Sequence, residues 1–214
     1  MLYNLHTHKS SKDSNVFDIV NRYPYEEIDV PYFSTGIHPW HINQEKLDEH
    51  LFIIEERLSL PGCLAIGECG LDKRIEKPID LQLEVFEKHL LLAKKYQKPV
   101  ILHLVAAFQE LIAVKNRINP GVPMVVHGFS KNIQVAQQLL NNGFYLSFGK
   151  YLLRNPELSA VFAQVSLDRF FLETDSIEES IIEVYGKASV ARNIEIEDLK
   201  NIVSTNFKTV FKNG

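Results

Sequence analysis

Six side chains of the kinds that hold divalent metal ions punctuate this chain: His6, His8, Glu68, His103, His127 and Asp175. Each lies at or just past the C-terminal end of a short apolar run. Imidazole nitrogens mixed with carboxylate oxygens suit Zn, Mn, Ni, Co or Fe, and Mg less well because it prefers oxygen. Two such ions ~3.5–4 Å apart can share a water, lower its pKa to about 7 and polarise the bond it attacks. The pattern therefore points to hydrolysis assisted by two divalent ions per chain. Asp175 is the candidate to accept a proton from the attacking water. Glu68 can bridge two ions with its two oxygens, so these two are the expected catalytic residues.

The spacing of the first pair is informative. Residues i and i+2 of a strand share a face, about 7 Å apart, so His6 and His8 can both aim at one ion while Thr7 faces away. Taken alone, such a pair is more often two surface histidines, and a single His after an apolar run is more often a hydrogen-bonded core group. Their joint occurrence at the ends of five separate runs favours ligands. Glu68 sits within Ala65-Ile66-Gly67-Glu68-Cys69-Gly70-Leu71-Asp72, where Gly67 and Gly70 let the backbone bend around the carboxylate.

The elements that must position these groups alternate. Apolar runs at Tyr3–His6, 16–20, 31–37, 63–67, 99–102, 123–126, 144–148 and 169–172 have the length and the β-branched or aromatic content of strands. Between them, helical periodicity covers 44–58, 80–96, 132–142 and 197–212. Strands alternating with helices imply parallel pairing and right-handed crossovers. Eight of them predict an α/β fold, a (β/α)8 TIM barrel, whose strand ends converge on one face. At 214 residues the chain is shorter than the roughly 250 of such a barrel. The shortage falls between the first and third strands, so a distorted barrel with the first two helices shortened or missing is expected.

Composition narrows the class. Hydrophobic residues make up 45% and charged residues 23%, which excludes a disordered or collagen-like chain and suggests one domain over 1–214. The formal charge of -4 is not that of a protein gripping many phosphates by charge alone. Cys63 and Cys69 read as reduced thiols. No apolar run approaches the ~18 residues of a membrane span, and Met1-Leu2-Tyr3-Asn4 is unlike a signal peptide. A cytoplasmic monomer is expected.

In Leu5-His6-Thr7-His8, Gly36-Ile37-His38-Pro39, the Glu68 segment, Pro99-Val100-Ile101-Leu102-His103, Val126-His127-Gly128-Phe129-Ser130, Tyr145-Leu146-Ser147-Phe148-Gly149 and Leu172-Glu173-Thr174-Asp175, the chain resembles the TatD family of metal-dependent hydrolases. The resemblance implies a TIM barrel with divalent metals and deoxyribonuclease activity on DNA, at ends or on single strands. It matches His6, His8, Glu68, His103, His127 and Asp175 to metal-ligand positions, and His38 to a position contacting substrate. There are departures. Asn4 stands where the family often has Asp, Lys9-Ser10 where an acidic residue is common, and Leu104-Val105 follow His103 without the usual Arg. Ser176-Ile177-Glu178-Glu179 adds an acidic pair. The last two changes weigh against a phosphate-rich substrate, and Lys73, Arg74, Lys131 and Lys150 in strand-end loops would compensate. Two alternatives stand beside the nuclease: hydrolysis of a small ester, amide or lactone, and a non-catalytic metal-binding scaffold. Trp40 and Phe108 suggest a stacking platform for bases, with a lid as the other role for Trp40. His50 and His89 fall in helical patterns and are expected to be exposed.

Overall fold

A computed structural model describes residues 1–211 of the chain. Eight strands are present: β1 (Leu2–Thr7), β2 (Val16–Asn21), β3 (Phe33–Thr35), β4 (Cys63–Asp72), β5 (Val100–Val105), β6 (Met124–Val126), β7 (Tyr145–Phe148) and β8 (Phe170–Leu172). Their order in the sheet follows the chain. The helices are α1 (Leu47–Leu58), α2 (Ile79–Tyr96), α3 (Phe108–Ile118), α4 (Ile133–Asn141), α5 (Lys150–Arg154), α6 (Pro156–Gln164), α7 (Ile181–Arg192) and α8 (Ile196–Val210). This is the (β/α)8 barrel fold, and among the described residues no helix lies between β1 and β2 or between β2 and β3. No described helix is long and apolar enough to cross a membrane. The described chain divides into two compact units, residues 1–20 with 126–211, and residues 21–125.

In the first unit, β1 runs parallel to β2, with Leu2 opposite Val16 and Thr7 opposite Val20. β7 runs parallel to β8. An isolated parallel bridge joins Thr7 to Asp175. Aromatic residues fill the core. Tyr3 stacks on Phe207 at 4.4 Å between ring centroids, and Phe162 meets Phe148 and Phe170 edge-on at 4.9 Å each. Each such ring contributes roughly 1.5–3 kcal/mol by burial. Helix α7 shows little periodicity because Ile182 and Val190 are exposed while Ile181, Val184, Tyr185 and Ala188 are buried. Its start is capped: Ser180 and Glu183 form a reciprocal capping box, worth about 0.5–2 kcal/mol.

In the second unit, β3, β4 and β5 pair in parallel. β4 extends to Asp72, five residues past the run that predicts it, because Gly67 and Gly70 carry the strand through a bulge described below. Helices α1 and α2 cover this sheet with Ile54, Leu58, Phe86 and Leu90. The expectation for two histidines is corrected here. His50 is buried on α1 and His89 is fully buried on α2. His89 lies three residues after Phe86, on the inward stripe. It is satisfied there, since Nδ1 donates to the Val85 carbonyl (2.7 Å) and Nε2 accepts from the Ile37 amide (3.0 Å). Burial pushes its pKa down to about 4. The neutral ring thus ties α2 to the segment that carries His38.

Both cysteines are free and buried. Burial pushes the Cys63 thiol up to about 12 and Cys69 higher still, so these thiols stay protonated and pack as apolar groups.

Candidate metal centres

The first unit assembles His6, His8, His127 and Asp175. His6 is wholly buried at the end of β1, and His8 follows just past it. Their ring centroids are 5.2 Å apart, and both Nε2 atoms approach Asp175 Oδ1, at 3.8 Å from His6 and 3.5 Å from His8. The backbone explains the aim of Asp175. It adopts a left-handed φ of 55°, uncommon for a non-glycine residue. That conformation is clamped by hydrogen bonds from its amide to the His6 carbonyl (2.9 Å) and from the His8 amide to its own carbonyl (3.1 Å). The ring of His127 lies 4.4 Å from that of His6. One ligand atom each from His6, His127 and Asp175 falls within 4.8 Å of the others. Ligand atoms about 2.0–2.2 Å from one tetrahedral ion stand about 3.4 Å apart, so the group fits a divalent cation.

Two residues that spacing did not single out support this group. Glu173, buried at the end of β8, accepts from the Gly128 amide (2.7 Å) and stands 3.3 Å from His127 Nδ1. A carboxylate behind the ring fixes its tautomer and leaves the other nitrogen to a metal. The signal available in sequence was Glu173 itself, two residues before Asp175. Asn4 is the second. Its Nδ2 donates to Asp18 Oδ1 and Thr174 Oγ1 (2.9 Å each), and its Oδ1 accepts from the Thr174 amide (2.9 Å). The amide is required because it faces a carboxylate, which accounts for the departure from Asp.

The second unit assembles His38, Glu68 and His103. Ile66 lies opposite Val100 but Cys69 lies opposite Leu102, so β4 carries one extra residue. Such a bulge re-aims side chains, and here it falls at Glu68. The glycines make it possible by close approach. A Cβ on Gly67 would stand 2.5 Å from the Ile101 carbonyl oxygen, and one on Gly70 would stand 2.1 Å from that of His103. Glu68 Oε1 is 3.2 Å from His38 Nε2 and 3.0 Å from His103 Nδ1, and the Glu68 amide donates to Asn21 Oδ1 (2.6 Å). His38, Glu68 and His103 each offer an atom within 4.8 Å of the others. His38 Nδ1 accepts from the Trp40 amide (3.1 Å), which puts the proton of the neutral ring on Nε2, toward Glu68. Burial holds the His38 pKa below the usual histidine range, against the pull of Glu68.

Asp72 is a further member that spacing missed. Its Oδ2 accepts from Trp40 Nε1 (2.8 Å) and lies 3.4 Å from His103 Nε2, while its Oδ1 accepts from the Arg74 amide (2.8 Å). Burial opposes its ionisation, yet the Trp40 indole, the Arg74 amide and His103 hold it below the usual carboxylate range. Among the expected substrate contacts, Lys73 is engaged with Glu110 (2.5 Å), Arg74 is exposed one residue further on, and Lys131 is half-buried ahead of α4.

Comparison with known proteins agrees with this chemistry. The family described as TatD related DNase matches residues 5–212. A Bacillus subtilis (strain 168) protein named uncharacterized metal-dependent hydrolase YabD is 29% identical over 204 residues, spanning 87% of this chain and 80% of its own. A Cronobacter turicensis protein named 3'-5' ssDNA/RNA exonuclease TatD is 32% identical over 149 residues, spanning 67% of this chain and 56% of its own. The crystal structure of the Escherichia coli K12 TatD homologue YJJV is alike in fold, with a TM-score of 0.82 at 21% identity over 99% of this chain and 98% of that one.

Proposed function

This chain belongs to the TatD-related DNase family of metal-dependent hydrolases, and on that footing we propose that it hydrolyses phosphodiester bonds of DNA, at ends or on single strands. Each of its two ligand groups would hold one divalent ion. The observation that carries the reading is the gathering of nitrogen and oxygen atoms within 4.8 Å in each group. The activity named for the Cronobacter relative supports nucleic acid as the substrate class.

When bound, a divalent ion acts as a Lewis acid and lowers the pKa of a coordinated water from about 15.7 to about 7. The chain's own residues do the rest. His6, His8 and His127 present imidazole nitrogens, and Glu173 orients His127. The Asp175 carboxylate, held by the left-handed turn, takes a proton from the attacking water and returns it to the leaving oxygen. In the other group, His38 donates its Nε2 proton to Glu68 and fixes that carboxylate, while Asp72 accepts from His103 Nε2 and orients that ring. Arg74 and Lys131 are proposed phosphate contacts; Lys73 reaches phosphate by releasing Glu110.

The test is elemental analysis of the purified protein combined with cleavage of a labelled oligonucleotide across added divalent metals. Asp175→Asn should retain the fold and lose about 10²–10⁴-fold in turnover. An unchanged rate in that variant contradicts the role given to Asp175. The neutral Leu104-Val105 after His103 favours a small ester, amide or lactone as the second reading, and turnover of a nitrophenyl ester panel without oligonucleotide cleavage would establish it. Absence of both bound metal and metal-dependent turnover would leave a scaffold.

A further inference from the structure

Rings of the second unit form a continuous row leading away from the Glu68 group. Trp40 lies 6.0 Å from His103 and 5.1 Å from His38 between centroids. His38 meets His41 at 5.6 Å, His41 meets Tyr23 at 5.1 Å, and Tyr23 stacks on Tyr25 at 5.5 Å with planes 24° apart. His38 is buried and Tyr23 half-buried, but three rings of the row are exposed: His41, Trp40 at 56% and Tyr25 at 57%. Exposed apolar surface that is contiguous marks an interaction site, and these exposed rings lie along one chain of ring contacts. Trp40 is also held in place. Its indole N–H is fixed on Asp72 Oδ2, so the ring is anchored by its edge.

We infer that Trp40 and Tyr25 are stacking subsites for the unpaired bases of a single-stranded nucleic acid. The inference rests on the phosphodiesterase reading and adds what holds the strand. Two observations favour bases. With a formal charge of -4, the chain has no excess of cations to grip a polyanion, so contacts that do not depend on charge must add to those few cations. Stacking of bases on aromatic faces is such a contact and tolerates any sequence. The same Asp72 that anchors the indole also accepts from the Arg74 backbone amide, so one carboxylate ties the Trp40 ring to the backbone of an exposed arginine. A duplex hides its base faces, so the row selects single strands.

Trp40 is the single tryptophan, so tryptophan emission reports this ring alone. Metal-free protein in chelator, where no turnover occurs, is titrated with a short oligothymidylate, an abasic strand of equal length, a duplex and a neutral oligosaccharide. The oligothymidylate should quench Trp40 in a saturable way, with the abasic strand and the duplex at least about tenfold weaker. Tyr25→Leu should weaken oligothymidylate binding about tenfold, and Tyr25→Phe should restore it. Equal quenching by the abasic strand, binding that leaves Trp40 emission unchanged, a Tyr25→Leu variant as tight as the parent, or quenching by the oligosaccharide instead would each overturn the inference. Because no metal is present, these results are separate from failure of the hydrolytic reading, which shows as absent cleavage with stacking intact.

Discussion

Removing the titration of His89 should flatten the acid sensitivity of this fold, and the size of the effect follows from where the ring sits. In the folded protein His89 is fully buried and neutral, bonded to Val85 and Ile37 at its two nitrogens, with a pKa near 4 against 6.5 for the free side chain. Between those values the unfolded chain binds a proton that the folded chain refuses. The stabilisation is therefore complete above about pH 6.5 and is lost as pH falls toward about 4. At about 1.4 kcal/mol for each pH unit, the loss comes to about 1 kcal/mol by about pH 5.5 and about 3 kcal/mol by about pH 4. Such a loss is a large part of a typical domain stability of roughly 5–15 kcal/mol. The assay is urea unfolding of the parent and of His89→Gln, whose amide can bond but not titrate, at several pH values between about 7 and about 4. Other groups titrate equally in both proteins, so the difference between the two stability curves isolates His89. The parent should lose about 3 kcal/mol more than the variant across the window. Parallel curves would refute the assignment of a buried neutral ring. The His38 segment is tied to His89 through Ile37, so the parent should also lose order there before it unfolds.

The supporting shells of the metal groups give the other predictions. Asn4→Asp, although it restores the residue common in the family, sets a carboxylate against Asp18 and removes the donor to Thr174; it should cost about 1–3 kcal/mol near neutral pH, read as a lower thermal midpoint that recovers on acidification. Glu173→Gln should leave the fold in place but weaken divalent-metal binding by about 10–100-fold, measured by competition with a chromophoric chelator so that turnover is not involved. Unaltered affinity there would mean that Glu173 serves only the Gly128 amide.

The alternation of apolar runs and helical stretches, and the candidate ligand side chains near the run ends, were legible in the sequence because both are local patterns. Strand periodicity and helix periodicity are written in consecutive residues; His6 ends its run, His103 and His127 follow theirs directly, and Asp175 comes three residues after its own. The short segments between β1 and β3 likewise announced the missing helices. Tertiary structure alone decided which polar groups meet. Asp72 joins His103 because an extra residue in β4 and two glycines pressed against β5 set the register, and no count along the chain reveals a bulge. Glu173 finds His127, and Asn4 finds Asp18 and Thr174, across long sequence separations. His50 and His89 look like surface residues by type, yet the helix faces they occupy are buried. A buried polar side chain must be matched by a partner. Which partner comes within reach is set by packing and register, and these are properties of the folded chain.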